Sequence, residues 1–574
     1  MRSIRDRGVN RREFLKASAL AAGATALAAC APVASDADAG MAADEAAAEE
    51  MQRGNLIGLY GGPINSFNPL TAVQGFQAHF FQCVLPPLIQ QNVPKTGFVP
   101  IMAESWEASD DATQYTFHIH PDAKWHDGTN FTAEDVLFTY ELYLNPATKS
   151  RSVSNLAMIE GAEAYSNGEA DSVAGITVLD DKTIQFTTAY PTGLFLFQAT
   201  NSILPRHVLG DVAPDALENQ SFFFEDPLGS GPFKFVEYQT DQFIRLEAND
   251  DWHWGKPKLG SYIMQIVASP DVGQIALERG EAHFNAWGGL NTGSSEVVQS
   301  FIDNSDFKVV ATTGVVFTAY SFNLRRGFFA DKRVRQAWLH ALDRKKIVEV
   351  FQGGNGTIYN SPLIHGWSIP DDLNPYDYDA DLARSLLEEA GWDFNQEVTV
   401  NLITLKSEEA RAQVAAEKQM LEEAGFKIKI EEMDSSVWVE RFYDTHDFDA
   451  VRVGFGSFPD PDGFLKFHLT TQGRNANGYS EAIGGDFEEK VIEAGQLTDQ
   501  AARQEIYFDL QRTLNDNPSH APLYVGNNVW VFNGGVSIPE ITDQRVVTGL
   551  ADLSNPLPAK RDWWTNLEGW SFDG

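Results

Sequence analysis

Apolar and polar positions alternate along several stretches of this chain with the period of a half-buried strand. Tyr115, Phe117 and Ile119 take turns with Thr116, His118 and His120, which puts the apolar side chains on one face of an extended segment. Phe426, Ile428 and Ile430 repeat the pattern, as do Val451, Val453 and Phe455. Asn55 to Tyr60, closed by Gly61-Gly62-Pro63, and Val398 to Leu402 read as further strands. Elsewhere the spacing is helical. Val334, Ala337, Trp338, Ala341 and Leu342 share one helix face. Leu382, Leu386, Leu387 and Ala390 share another, closed by Gly391, and Ala410 to Ala424 forms a helix with Gly425 just past its end. Asp127-Gly128 marks a turn, and Thr132 with Asp135 three residues on predicts a capping box opening a helix through Val136, Leu137 and Tyr140. Strands separated by helices imply parallel pairing with crossover helices. The later part of the chain, residues 288–527, is therefore expected to be an α/β lobe, and the earlier part more mixed.

The first thirty residues follow none of these patterns. Arg11-Arg12-Glu13-Phe14-Leu15-Lys16 precedes an alanine-rich stretch from Ala17 to Ala29, too short for a permanent membrane helix and laid out as a signal peptide. The paired arginines resemble a twin-arginine export signal, and Leu27-Ala28-Ala29-Cys30 resembles a lipobox. Residues 1–30 are thus expected to be an export signal cleaved just before Cys30, whose thiol would carry the lipid. Residues 31–52 are rich in Ala, Asp and Glu and cannot bury enough surface to fold, so they read as an acidic tether. The expected location is the periplasmic or cell-surface side of the membrane.

Composition then narrows the partners. The 574 residues suffice for more than one lobe. A formal net charge of −37 repels nucleic acid and anionic lipid, which excludes both as main partners. Two cysteines, Cys30 and Cys83, allow neither a disulfide framework nor a four-cysteine zinc site. Cys83 lies in an apolar run and reads as a buried thiol. The twelve histidines show no clustered ligand spacing, so no metal or other cofactor is expected. His126-Asp127 is not expected to be catalytic, because adjacent residues on a strand-turn seldom converge on one substrate. Asp460-Pro461-Asp462 with Asp447 and Asp449 lacks EF-hand spacing and suits a turn.

Several stretches resemble the family 5 extracellular solute-binding proteins, the peptide-, nickel- and oligosaccharide-type receptors of ABC importers. They begin with Ile101-Met102-Ala103-Glu104-Ser105-Trp106-Glu107, then Lys124-Trp125-His126-Asp127-Gly128-Thr129 and Thr132-Ala133-Glu134-Asp135-Val136. Gly229-Ser230-Gly231-Pro232-Phe233, Val334-Arg335-Gln336-Ala337, Ala341-Leu342-Asp343-Arg344, Pro459-Asp460-Pro461-Asp462 and Ala521-Pro522-Leu523-Tyr524 follow in the family's order, as do Arg503, Tyr507 and Gln511. The resemblance covers roughly residues 53–570. It implies an α/β, two-lobed fold of the periplasmic-binding-protein type (class II, cluster C), with ligand enclosed between the lobes. Lobe I would comprise 53–287 and 528–574, with an extra subdomain at about 75–200, and lobe II would comprise 288–527. The expected function is capture of a solute by hinge closure and delivery to ABC permease subunits, by a monomer without catalysis. Oligopeptide is the family default and an oligosaccharide or other non-peptide solute the rival. A secreted hydrolase and a ligand-sensing lipoprotein are further alternatives.

The resemblance also nominates cleft residues. Its first cleft-lining turn matches Asn65, Ser66, Phe67 and Asn68, and its strand end matches Phe455, Gly456, Ser457, Phe458 and Asp460. Many peptide receptors of the family carry there an Asp that pairs with the ligand's amino terminus; the matching position here holds Phe458, with Asp460 as a substitute if the placement shifts. The Arg that dipeptide receptors use for the ligand carboxylate falls near Thr404, with Lys406 two residues on. Trp287, Trp367, Trp438 and Phe455 offer flat faces for ligand stacking, although such side chains more often belong to a core.

Overall fold

Two large sheets organise the chain. The computed structural model describes residues 54–62, 66–72, 75–91, 98–286, 288–312, 314, 316–364, 366–405, 408–456, 460–497, 499–537 and 570–572. The expected signal peptide, tether and Cys30 lie outside the described residues, as do Asn65, Trp287, Lys406, Ser457 and Phe458.

The first sheet has seven strands in the order Phe307–Thr312, Asn528–Asn533, Phe284–Asn285, Asn55–Gly61, Ser261–Val267, Phe243–Ala248 and Phe233–Gln239. Asn55–Gly61 runs parallel to both of its neighbours and the remaining pairs are antiparallel. Its central run is buried on both faces, with Leu56 and Tyr60 in one apolar cluster and Leu59 in another, which is why it reads as nearly continuous hydrophobic sequence. A separate four-stranded antiparallel sheet, Ala103–Ala108, Gln114–Ile119, Thr183–Thr187 and Ile176–Asp180, falls within residues 75–200. Its apolar side, with Tyr115, Phe117 and Phe186, shares one core cluster with Tyr60, Phe284 and Trp570 of the first body.

The second sheet orders Gly356–Thr357, His520–Gly526, Val316–Phe322, Ala450–Gly456, Glu397–Ile403 and Lys427–Met433. Glu397–Ile403 is parallel to both neighbours, as the intervening helices require. Val316–Phe322 is antiparallel to both of its own, so the α/β lobe carries a mixed sheet rather than a wholly parallel one. Helices Lys332–His340 and Glu408–Ala424 cover one face; Trp338 meets Tyr320 and Phe322 edge-on, and the Tyr320 hydroxyl donates to Glu417 Oε2 at 2.6 Å.

Residues 288–312 correct the expected lobe boundary. They were expected with the second lobe, yet Phe307–Thr312 pairs with Asn528–Asn533 in the first sheet. Helix Ser295–Ile302 packs Val298 and Phe301 beneath it, against Leu59, Val309 and Val531. The chain passes from the first sheet to the second between Thr312 and Val316, and returns between Gly526 and Asn528. The two passages touch: a Cβ on Gly314 would sit 2.0 Å from the Gly526 carbonyl oxygen, so only glycine fits there.

Candidate functional site

The longest motif is a structural lock. Trp125 is buried, and its indole N–H donates to Asp135 Oδ2 at 3.2 Å. The same carboxylate accepts the Thr132 amide at 2.9 Å, opening helix Ala133–Leu144, while its other oxygen accepts the Arg206 amide at 3.0 Å. His126 Nε2 lies 3.0 Å from the Gly231 carbonyl oxygen, and the His126 amide donates to Gly229 O at 2.8 Å. A Cβ on Gly229 or Gly231 would strike the backbone of Val84 or Cys83, so both glycines are required by close packing. Burial holds the His126 imidazole down to about 4. Asp127 faces His207 instead, at 2.9 Å. His126 and Asp127 thus point to different partners.

Asp460 follows the strand end Ala450–Gly456 and caps helix Pro461–Leu469, accepting the Asp462 amide at 3.0 Å. Its carboxylate also receives both Nη atoms of Arg503, at 2.9 and 2.6 Å. Arg503 further donates to Ala494 O and to the Tyr507 hydroxyl, and the Trp367 ring lies 5.6 Å from its guanidinium carbon. Sequence reading placed Arg503 and Tyr507 in order without the partner, because residues 43 positions apart, as Asp460 and Arg503 are, carry no local signal of their meeting.

The other candidates fall into different settings. Phe67 is buried and stacks on Phe80, with ring centroids 4.4 Å apart. The Gln77 amide donates to Ser66 O at 2.6 Å, and Asn68 Oδ1 accepts the Leu70 amide at 3.0 Å. Trp438 is buried against Phe442. Phe455 lies in an aromatic cluster with Phe317, Phe464, His468 and His520. Burial pushes His468 down to about 3 and holds His520 well below its ordinary value. Gly456 is exposed at the strand end. The Thr404 amide is bonded to Met433 O at 2.9 Å. Among the described residues no group of three His, Cys, Asp or Glu is placed to hold a metal ion.

One cavity was not foreseen. About 420 Å³ in volume, it lies between Tyr190, Pro191, Thr192 and Leu194, which follow the four-stranded sheet, and Asp462, Lys466, Gln472, Ile492, Gly495 and Gln496 of the second body. Asp462 had a sequence signal, the Asp-Pro-Asp helix start; Tyr190 to Leu194 had none.

Two sheets joined by two passages, with residues of both bodies meeting around a cavity, define a two-lobed solute receptor. The description "bacterial extracellular solute-binding proteins, family 5 Middle" matches residues 97–476, and the chain belongs to this family. A protein of Brucella melitensis, provisionally named an ABC transporter peptide-binding protein, is 29% identical over 539 residues, covering 91% of this chain and 96% of the relative. The oligopeptide-binding protein AppA of Bacillus subtilis is 28% identical over 506 residues, 85% of this chain and 89% of AppA. The structure of AppA with a nonapeptide superposes with a TM-score of 0.65 at 24% identity, covering 91% of this chain and 99% of AppA. An ABC transporter substrate-binding protein of Listeria monocytogenes gives a TM-score of 0.71 at 25% identity, covering 87% and 98%. Among the described residues no helix is long and apolar enough to cross a membrane.

Proposed function

We propose that this chain is the receptor of an ABC importer that encloses a peptide between its two sheet bodies and presents it to the permease. The pair of adjacent passages at 313–315 and Asn527 carries this reading, since it gives a hinge about which the bodies close. The names of the similar proteins from Brucella and Bacillus support the peptide class. Cleft contacts would come from the turn Asn65 to Asn68, from Trp287, and from the strand end Gly456 to Phe458. Phe67, Trp438 and Phe455 are instead taken up by aromatic packing, and Asp460 by Arg503.

Charge argues for longer peptides over dipeptides. Asp460 is already paired with Arg503, and Phe458 stands at the family's amine-pairing position. An enclosed ammonium without a counter-charge costs several kcal/mol, and each ~1.4 kcal/mol is about tenfold in affinity. Free dipeptides are therefore expected to bind at about millimolar or weaker, and longer peptides, held by backbone hydrogen bonds, in the micromolar range. Calorimetry of the full chain with a dipeptide mixture, a longer-peptide mixture and an oligosaccharide mixture tests this. Binding of the sugars alone would make it a non-peptide receptor, and steady conversion of any mixture would make it a hydrolase.

Anchoring belongs to the same proposal. Leu27-Ala28-Ala29-Cys30 supports lipid attachment at Cys30 after export through the paired arginines, Arg11-Arg12. Cys30→Ser is expected to shift the protein from the membrane to the soluble fraction. An unmodified mature amino terminus in the native protein, read by mass spectrometry, would reject the anchor.

A further inference from the structure

The segment Tyr190–Leu194 is held firmly by its own body. The Tyr115 hydroxyl donates to Thr192 O, the Thr192 amide donates to Ala112 O at 3.1 Å, and the Thr188 hydroxyl donates to Tyr190 O at 2.8 Å. Two contacts leave it for the second body. The Gly193 amide donates to Gly495 O at 3.2 Å, and Lys466 Nζ lies 5.4 Å from the centre of the Tyr190 ring. The cavity between them has Asp462 in its lining, a carboxylate in a residue only 2% exposed. Gly495 presses on it from the helix Phe487–Gln496, where a Cβ would come within 2.5 Å of Asp462 Oδ1.

We propose that this seam is a proton-linked latch: Tyr190–Leu194 closes over Asp462, and closure takes up a proton on the Asp462 carboxyl.

The surroundings decide the direction. Burial, then the Asp460 carboxylate beside it, push Asp462 up to about 7, while Lys466 and Arg503 pull the other way. Arg503 is already engaged by Asp460 and Tyr507, so its help is limited. From the helix Phe487–Gln496 the lining residues Ile492, Gly495 and Gln496 are uncharged. Its Glu488 bonds Thr471 and Ser480, its Lys490 pairs with Asp486 and Asp509, and its Glu489 and Glu493 are exposed. From the first body, Tyr190, Pro191, Thr192 and Leu194 bring no charge. Once the seam opens, water replaces the Tyr190–Leu194 wall and the Asp462 carboxyl falls, while Asp460 and Gly495, which belong to the same body, stay beside it. The closed seam is thus favoured by acid, loses up to about tenfold per pH unit as pH rises toward about 7, and is level above that. Mild acid holds the lobes together and neutral pH loosens them.

This inference rests on the two-lobed reading, but its test uses no ligand, so a failure to bind peptide leaves the result readable. Hydrogen–deuterium exchange of the full chain, corrected for the intrinsic effect of pH, follows the Gly193 amide in a peptide spanning residues 190–196. Protection is expected to fall at least about tenfold between pH 5.5 and 7.5 in the wild type. Asp462→Asn should keep the high protection at both pH values. Lys466→Gln should extend the fall above pH 7, because the cation that favours the charged carboxylate is gone. Protection that is absent throughout, independent of pH, or equally pH-dependent in Asp462→Asn would overturn the latch.

Discussion

A guanidinium and a carboxylate buried together hold their place only while both charges are present, and Asp460 with Arg503 is such a pair. Asp460→Asn keeps an acceptor for the helix start but leaves Arg503 charged and unmatched beneath Trp367 and Tyr507. The expected cost is about 3–5 kcal/mol, read as a lower urea midpoint. Tyr507→Phe removes only the hydroxyl that Arg503 and Asp460 share and should cost about 1 kcal/mol. If Asp460 instead served mainly as a ligand anchor, Asp460→Asn would weaken peptide binding and leave the midpoint in place. The residue type was legible in Pro459-Asp460-Pro461-Asp462; its partner was not, because the pairing depends on where helix Gln500–Asp516 docks.

At the scale of elements, local patterns were legible and long-range pairings were not. The alternation at Tyr115, Phe117 and Ile119 is strand Gln114–Ile119, and the helix expected from Ala410 to Ala424 spans Glu408–Ala424. The box at Thr132 and Asp135 opens its helix as expected, because capping is decided within three residues. The strands read at Val398, Phe426 and Val451 do pair in parallel, but Val316–Phe322 was not read as a strand, and its antiparallel pairing is what makes the sheet mixed. Period-two alternation places side chains on faces but says nothing about which way a neighbour runs. The lobe boundary failed for a related reason: Val309 meets Val531 across more than two hundred residues, and only that pairing assigns 288–312 to the first sheet. At the candidate site, the capping Asp460 and the strand end were visible in sequence. The Tyr190–Leu194 wall was not, being a loop whose role exists only against another body.

Across the whole molecule, buried neutral histidines set an acid limit on the fold. His126 and His253 are held down to about 4 and His468 to about 3 by burial, in both sheet bodies. Unfolded, each titrates near its ordinary value, so the stability they lend is complete above about pH 6.5 and is lost as pH falls toward 4. Each contributes about 1.4 kcal/mol per pH unit in that window. Urea midpoints measured from pH 7 to pH 4 are therefore expected to drop steeply, opposite in sign to the Asp462 seam, which acid tightens. A flat profile would mean that these histidines bind protons alike in the folded and unfolded states.

Cys83 brings a last consequence. Its side chain is buried, and its backbone carbonyl is covered so closely by Gly231 that no larger residue fits above it. With Cys30 taken up by lipid, the mature protein would present a single sulfhydryl, shielded from oxidants, from stray cross-linking and from alkylating reagents. It also carries a built-in clock: the rate at which a thiol reagent reaches Cys83 measures how often the first body comes apart.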